Sequence, residues 1–207
     1  MGHDLISFVA GYFLGSIPTA FLLVKERAGI DIQQAGSGNV GAFNVFYVTR
    51  SKLLAITVGV LDGLKGFVIT FGTLHLLGEP ASVGMAGMLG AIVGHTYPVW
   101  LGFKGGRGLA TAAGGLFAVG VSYTIVWCVS WLLLNRWKKD IVTANVLSSI
   151  VTPIMLSLSP TAWLKPLTFS PVEVGEYQLF AWVLSGLLLL SHREIVHRLI
   201  KNRRHIS

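Results

Sequence analysis

From residue 108 to residue 135 the chain runs for 28 positions without an Asp, Glu, Lys or Arg, and residues 5–24 do the same over 20. A helix at a water surface needs a polar stripe, and a half-buried strand needs a polar side. Runs this long and apolar provide neither. Twenty apolar residues at about 1.5 Å each match a hydrocarbon core of about 30 Å. Only 12% of the residues are charged, against about 25% in ordinary soluble domains, which is too little polar surface to coat the chain in water. The expectation is an all-α integral membrane protein forming a single polytopic domain over residues 1–207, since no sizeable soluble remainder is left.

The other apolar segments cover residues 53–77, interrupted by Asp62 and Lys65, then 81–100, 141–164 and 177–191. One helix over 108–135 would reach about 42 Å, more than the bilayer core requires. A turn at Gly120-Val121-Ser122 is therefore expected to divide it into two helices, the first short. This gives seven spans, some short. With the N-terminus outside and the C-terminus cytoplasmic, 14 of the 16 Lys and Arg residues fall on one side; Lys65 lies within a span and Lys165 is the exception. That is the positive-inside pattern, and it explains the net charge of +7 without nucleic acid. The N-terminus lacks the basic start of a signal peptide, so the first segment is expected to remain as a helix. Cys128 is the one cysteine, which excludes an internal disulfide or a Cys zinc site. Arg198, Lys201, Arg203 and Arg204 are expected to meet anionic headgroups.

Three polar clusters then share the cytoplasmic side: Gly36-Ser37-Gly38-Asn39-Val40-Gly41, Lys104-Gly105-Gly106-Arg107-Gly108, and His192-Arg193. Glycines let backbone N–H groups approach an anion, and Lys or Arg supplies the opposite charge. The second cluster reads as a phosphate-gripping loop. The first is no P-loop, because Gly-x-x-x-x-Gly-Lys-Ser/Thr is absent; its plainer reading is a connection whose Ser and Asn cap the next helix. His95 lies near a helix end ahead of Pro98. His95, His192 and His197 lack metal-ligand spacing with carboxylates, so neither a metal nor another cofactor is expected. Asp62 and Lys65 share a helical face at membrane depth, where ionisable groups are paired or functional; an ion pair that fixes packing is favoured, with Lys65 lending its field to an anion. Gly59, Gly63, Gly66, Gly84, Gly87, Gly90 and Gly94 recur three or four apart, a spacing that lets helices pack closely.

The order and spacing of Gly36-Ser37-Gly38-Asn39-Val40-Gly41-Ala42, Leu61-Asp62-Gly63-Leu64-Lys65-Gly66, Gly94-His95-Thr96-Tyr97-Pro98 with Phe103-Lys104-Gly105-Gly106-Arg107-Gly108, and His192-Arg193-Glu194 carry a resemblance. Over nearly its full length the chain resembles the bacterial acyl-phosphate:glycerol-3-phosphate acyltransferases (PlsY). The resemblance implies seven spans in the bacterial inner membrane with the active site at the cytoplasmic face. It implies transfer of a fatty acyl group from acyl phosphate to the 1-hydroxyl of glycerol 3-phosphate, giving lysophosphatidic acid and phosphate for phospholipid biosynthesis. Its substrates and the membrane lipids are then the partners, with no nucleic acid. Ser37, Lys104, Arg107 and His192 are the expected catalytic residues. Gly36, Gly38, Asn39, Gly41, Asn44, Lys65, His95, Gly105, Gly106 and Gly108 are the expected substrate and phosphate contacts.

The chain also departs from the family pattern. Phe43 replaces a Thr, Tyr47 an Arg, Ile195 an Asn, and Arg107 a Lys, while residues 142–145 replace a Ser-rich segment. Two other classes therefore stand beside the enzyme: a relative that binds phosphorylated lipid precursors or uses another acceptor, and a small anion transporter. A transporter is expected to show an internal repeat and a midplane polar path; no repeat is visible.

Overall fold

The computed structural model describes residues 2–169 and 172–197, so the expectation for Arg198, Lys201, Arg203 and Arg204 falls outside the described residues. Each apolar segment read from the sequence is helical. The elements are α1 (Gly2–Gly15), α2 (Thr19–Ala28), α3 (Ala42–Thr49), α4 (Lys52–Phe71), α5 (Ala81–Thr96), α6 (Leu109–Val119), α7 (Ser122–Lys138), α8 (Ile141–Leu158), the single turn α9 (Thr161–Leu164) and α10 (Val174–Ser191). Among the described residues, four helical stretches are long and apolar enough to cross a membrane: Gly2–Ala28, Lys52–Leu76, Ile141–Leu158 and Val174–Ser191. Two compact units are present, Met1–Val119 and Gly120–Ser207.

In the first unit, α1 packs on α5 and α4 packs on α6, both through glycine. A Cβ on Gly90 would run into the carbonyl oxygen of Phe8, one on Gly94 into that of Tyr12, and one on Gly15 into that of Ala91. On the other pair, Gly66 faces the Thr111 carbonyl and Gly114 the Gly63 carbonyl in the same way. Backbones this close gain dispersion contacts that a bilayer's hydrophobic effect does not supply. The stripe expected at Gly66, Gly87, Gly90 and Gly94 is thus a helix-packing surface. Gly59 differs, since a Cβ there meets only Ala42 Cβ at 3.6 Å. Gly90→Ala is expected to cost about 1–3 kcal/mol by overpacking, read as a lower midpoint for thermal unfolding in detergent. Gly72→Ala, where a Cβ meets nothing within 4 Å, is expected to leave the midpoint unchanged.

Three of the apolar runs are not helical throughout. Residues 5–24 are not one helix: the chain breaks at Ser16-Ile17-Pro18, because proline lacks the N–H that an uninterrupted ladder needs. α5 stops at Thr96 ahead of Pro98 instead of reaching residue 100. α8 stops at Leu158, not residue 164, with Pro160 following.

In the second unit, the expected turn is present between Val119 and Ser122. Val121 N–H donates to the Leu167 carbonyl at 2.9 Å, and Gly120 pairs with Thr168 in an isolated bridge. Tyr177 Oη donates to the Gly120 carbonyl and accepts from Tyr123 N–H, both at 3.1 Å, which fixes the turn to the start of α10. Asp140 caps α8, accepting from the N–H groups of Val142 and Thr143 at 3.2 Å. α8 packs against both α7 and α10.

Candidate active site

The two glycine-rich loops of the first unit are built as one object. Val40 N–H donates to the Gly105 carbonyl at 3.3 Å. The Gln33 side-chain amide spans the loops, donating to the carbonyls of Leu101 at 3.3 Å and Lys104 at 3.1 Å. The second loop also folds back on α5: Gly105 N–H donates to the Thr96 carbonyl and Gly106 N–H to the His95 carbonyl, each at 3.0 Å. This doubling-back leaves no room for side chains. A Cβ on Gly105 would strike the His95 carbonyl, and one on Gly106 would strike His95 Nε2.

Asn44 organises the first loop from within. It is 1% exposed. Its Oδ1 accepts from Ser37 N–H at 2.9 Å, and its Nδ2 donates to the carbonyls of Ala35 and Asn39 at 3.0 Å. Gly36 and Gly38 sit at φ +62° and +72°, the left-handed region that favours glycine, so the loop closes tightly around that amide. α3 begins at Ala42, and its N-cap residue, Gly41, offers no side-chain cap. The capping role considered for Ser37 and Asn39 is therefore not what these residues do.

The N–H groups of Ser37, Gly38, Val40, Gly105 and Gly106 are committed to acceptors inside the protein. In these loops the glycines allow close backbone packing; they do not present those N–H groups to an anion. Of the polar residues in these loops, Ser37 and Lys104 are exposed, and Asn39 and Arg107 are half-buried.

Beneath the loops lies a buried charge cluster. Lys65 donates to the Asp62 Oδ1 at 2.8 Å, the Ile17 carbonyl at 2.6 Å and Thr19 Oγ1 at 3.1 Å. Thr19 Oγ1 in turn donates to Asp62 Oδ1 at 2.5 Å, and His95 Nδ1 stands 3.6 Å from the same oxygen. Asp62 is 2% exposed, Lys65 5% and His95 8%. The favoured ion pair is present, and its third element is the break between α1 and α2, whose freed Ile17 carbonyl the ammonium satisfies. All three protons of the Lys65 ammonium are thus donated within the protein, and the Asn44 amide is likewise committed to its own loop. His95 links this cluster to Gly106. The sequence reading singled out neither Thr19 nor Gln33; the Ser-Ile-Pro-Thr run inside an apolar span was the available signal for the first.

His192 lies in the second unit, immediately after α10. It is 1% exposed, with Nδ1 2.7 Å from the Leu188 carbonyl and 3.1 Å from Ser191 Oγ. A proton on Nδ1 held by that carbonyl leaves Nε2 as the basic nitrogen. Among the described residues, no three His, Cys, Asp or Glu side chains gather around a point where a metal ion would sit.

The comparison with known proteins is decisive for the family. The family model described as glycerol-3-phosphate acyltransferase matches residues 5–202. The chain belongs to the glycerol-3-phosphate acyltransferase family. Among curated members, the glycerol-3-phosphate acyltransferase of Nitrobacter winogradskyi is 36% identical over 95% of this chain and 92% of that protein. The one from Aquifex aeolicus is 34% identical, covering 97% of each. Among solved structures, the glycerol 3-phosphate form of PlsY (YgiH), described as an integral membrane glycerol 3-phosphate acyltransferase, superposes with a TM-score of 0.75. It shares 33% identity over 97% of this chain and 93% of that one. The lysophosphatidic acid form gives 0.76 at 32% identity. This glycerol-3-phosphate acyltransferase family member therefore has the family's fold over nearly its whole length.

Proposed function

We propose that this acyltransferase moves a fatty acyl group from acyl phosphate to the 1-hydroxyl of glycerol 3-phosphate, releasing phosphate and lysophosphatidic acid at the cytoplasmic face of a bacterial inner membrane. The observation that carries this reading is the docked loop pair, which holds exposed Ser37 and Lys104 and half-buried Arg107 on one hydrogen-bonded frame. The family match runs through both units, which supports taking the whole chain as the functional domain. A seven-span topology with the N-terminus outside is supported by the helix order and by the one-sided distribution of Lys and Arg. α6, at 11 residues, reaches about 16 Å, which supports reading it as the short span of that topology.

In the reaction, the hydroxyl oxygen of glycerol 3-phosphate attacks the acyl carbonyl and the bond from that carbon to the phosphate oxygen breaks. The leaving group is already good, so no enzyme nucleophile is needed. Lys104 and Arg107 neutralise the two phosphorylated substrates, and guanidinium can bind phosphate oxygens in pairs. Ser37 and Asn39 orient the acceptor and donate to the developing oxyanion. A substrate phosphate, whose second pKa lies near 6, takes the hydroxyl proton. His192 is proposed as a further catalytic residue. Asn44, Lys65, His95, Gly105 and Gly106 act as positioning residues, with Gly36, Gly38, Gly41 and Gly108 as loop formers around the phosphates.

One departure from the family pattern gains a physical account. The Arg50 guanidinium lies 5.2 Å over the ring of Tyr47, a cation–π arrangement. A cation therefore stands at that corner of α3 although residue 47 is tyrosine, and in this reading it takes the place of the arginine of the family pattern. Ser37→Ala is expected to lower kcat on the order of 100-fold in a phosphate-release assay, with KM for glycerol 3-phosphate little changed. An unchanged kcat would remove Ser37 from the mechanism.

A further inference from the structure

The first unit has a second hollow, at the far end of α4 from the glycine-rich loops, and the reaction gives it no role. It holds about 280 Å³. One wall is α1, which contributes His3, Ile6, Ser7 and Ala10, the i, i+3, i+4, i+7 course of one helical face. The other wall is the end of α4, with Ile69 and then Thr73. There the helix widens into a π turn over Gly72–Leu76, with Leu77 N–H donating to the Gly72 carbonyl at 3.0 Å. Such turns are rare and recur at functional sites. Ser7 and Thr73 are buried, their hydroxyl oxygens 3.4 Å apart, and give the hollow a polar inner end. From Asp62 to Thr73 the helix rises about 16 Å, so the hollow is remote from the charge cluster beneath the loops.

The rim is charged. His3 Nδ1 stands 2.9 Å and 3.0 Å from the two Glu79 carboxylate oxygens, and the Glu79 backbone is fixed by its N–H donating to the Thr73 carbonyl at 3.1 Å. Asp4, next to His3 in the chain, adds a second carboxylate, whereas residues 2–10 and 69–83 contain no Lys or Arg. An ionised carboxylate has about four acceptor positions, so the His3 contact leaves Glu79 able to accept from a ligand as well. A cavity of about 150 Å³ takes one benzene molecule; this larger hollow takes a length of fatty chain, and its rim suits a headgroup with N–H donors. We infer that it seats one chain of a phospholipid with a primary ammonium headgroup, phosphatidylethanolamine, whose ammonium donates to Glu79 and whose phosphate lies beside His3. In the topology proposed above this end faces outside, so the lipid comes from the outer leaflet and is not a substrate. Phosphatidylcholine lacks the N–H donors, and phosphatidylglycerol brings net negative charge towards Asp4 and Glu79.

The test is native mass spectrometry of the full chain released from detergent micelles and titrated with phosphatidylethanolamine, phosphatidylcholine or phosphatidylglycerol of identical chains. The parent is expected to bind one phosphatidylethanolamine about tenfold more tightly than either other lipid, the scale of one charge-assisted hydrogen bond. Glu79→Gln is expected to abolish that preference. Ala10→Trp, which fills the hollow from an exposed position on α1, is expected to weaken phosphatidylethanolamine binding by about tenfold, the scale of misfit in an apolar pocket. Glu176→Gln removes an exposed carboxylate of α10 and is expected to bind all three lipids as the parent does. Added phosphatidylethanolamine is also expected to raise the thermal unfolding midpoint of the parent more than that of Glu79→Gln, since a ligand stabilises the folded state that binds it. Equal binding of the three lipids by the parent overturns the proposal. So does a preference that survives Glu79→Gln, or undiminished affinity in folded Ala10→Trp.

Discussion

Asp62→Ala is expected to destabilise the protein by about 3–5 kcal/mol, the cost of leaving a buried charge without its partner. The geometry gives three reasons for so large an effect. Asp62 Oδ1 receives both the Lys65 ammonium and the Thr19 hydroxyl, with His95 Nδ1 3.6 Å away. Lys65 is 5% exposed, so its ammonium would be left buried without an anionic partner. The Ile17 carbonyl that it holds belongs to the break between α1 and α2, so losing the carboxylate loosens three helices together. Thermal unfolding in detergent measures the loss. Asp62→Leu combined with Lys65→Met is expected to recover most of it, because removing both charges of a buried pair is far cheaper than removing one. A single variant as stable as the parent would show that the pair contributes nothing to the fold.

Gly106→Ala is expected to lower turnover by 100-fold or more while leaving the helices intact. The added methyl group would overlap the His95 ring. The imidazole is enclosed between Asp62 and the loop, so the loop must yield, carrying Lys104 and Arg107 out of register. A displacement of about 1 Å at a phosphate-positioning loop is enough for a loss on the order of 100-fold. Gly59→Ala is the matched control: its Cβ meets only Ala42 Cβ at ordinary contact distance, and turnover should stay within about twofold of the parent, as expected of a tolerated substitution. Circular dichroism and turnover on the two variants together separate loop displacement from unfolding. Parent-like turnover in Gly106→Ala would contradict the close docking of loop and histidine.

The parts of this architecture that were legible in sequence are those written in local spacing. Uninterrupted apolar runs mark the helices. Gly120-Val121 marks the turn between α6 and α7, because a run of 28 uncharged residues is longer than one crossing requires. Glycines three or four apart mark the packing faces. Asp62 and Lys65, three apart at membrane depth, announce their pairing. What spacing does not contain is the partner at a distance. Gln33 bridges to carbonyls 68 and 71 positions away, and Thr19 meets a carboxylate 43 positions away; a lone Gln or Thr carries no mark of either. The glycine-rich loops misled for a related reason. The same lack of side chains lets a backbone grip an anion or another backbone, and only the hydrogen-bond partners of Gly105, Gly106 and Ser37 distinguish the two. Pro18 was a visible helix breaker inside residues 5–24, outweighed there by the length of the apolar run.

The central claim is that this loop frame serves acyl transfer from acyl phosphate. The most direct measurement is phosphate release by the purified protein in lipid, given long-chain acyl phosphate with and without glycerol 3-phosphate, and repeated for Lys104→Ala and Arg107→Ala. The account predicts release that requires glycerol 3-phosphate, is matched by lysophosphatidic acid formed, and falls to background in both variants. Release indifferent to glycerol 3-phosphate, or no release from folded protein under conditions where the Aquifex aeolicus relative turns over, would contradict it.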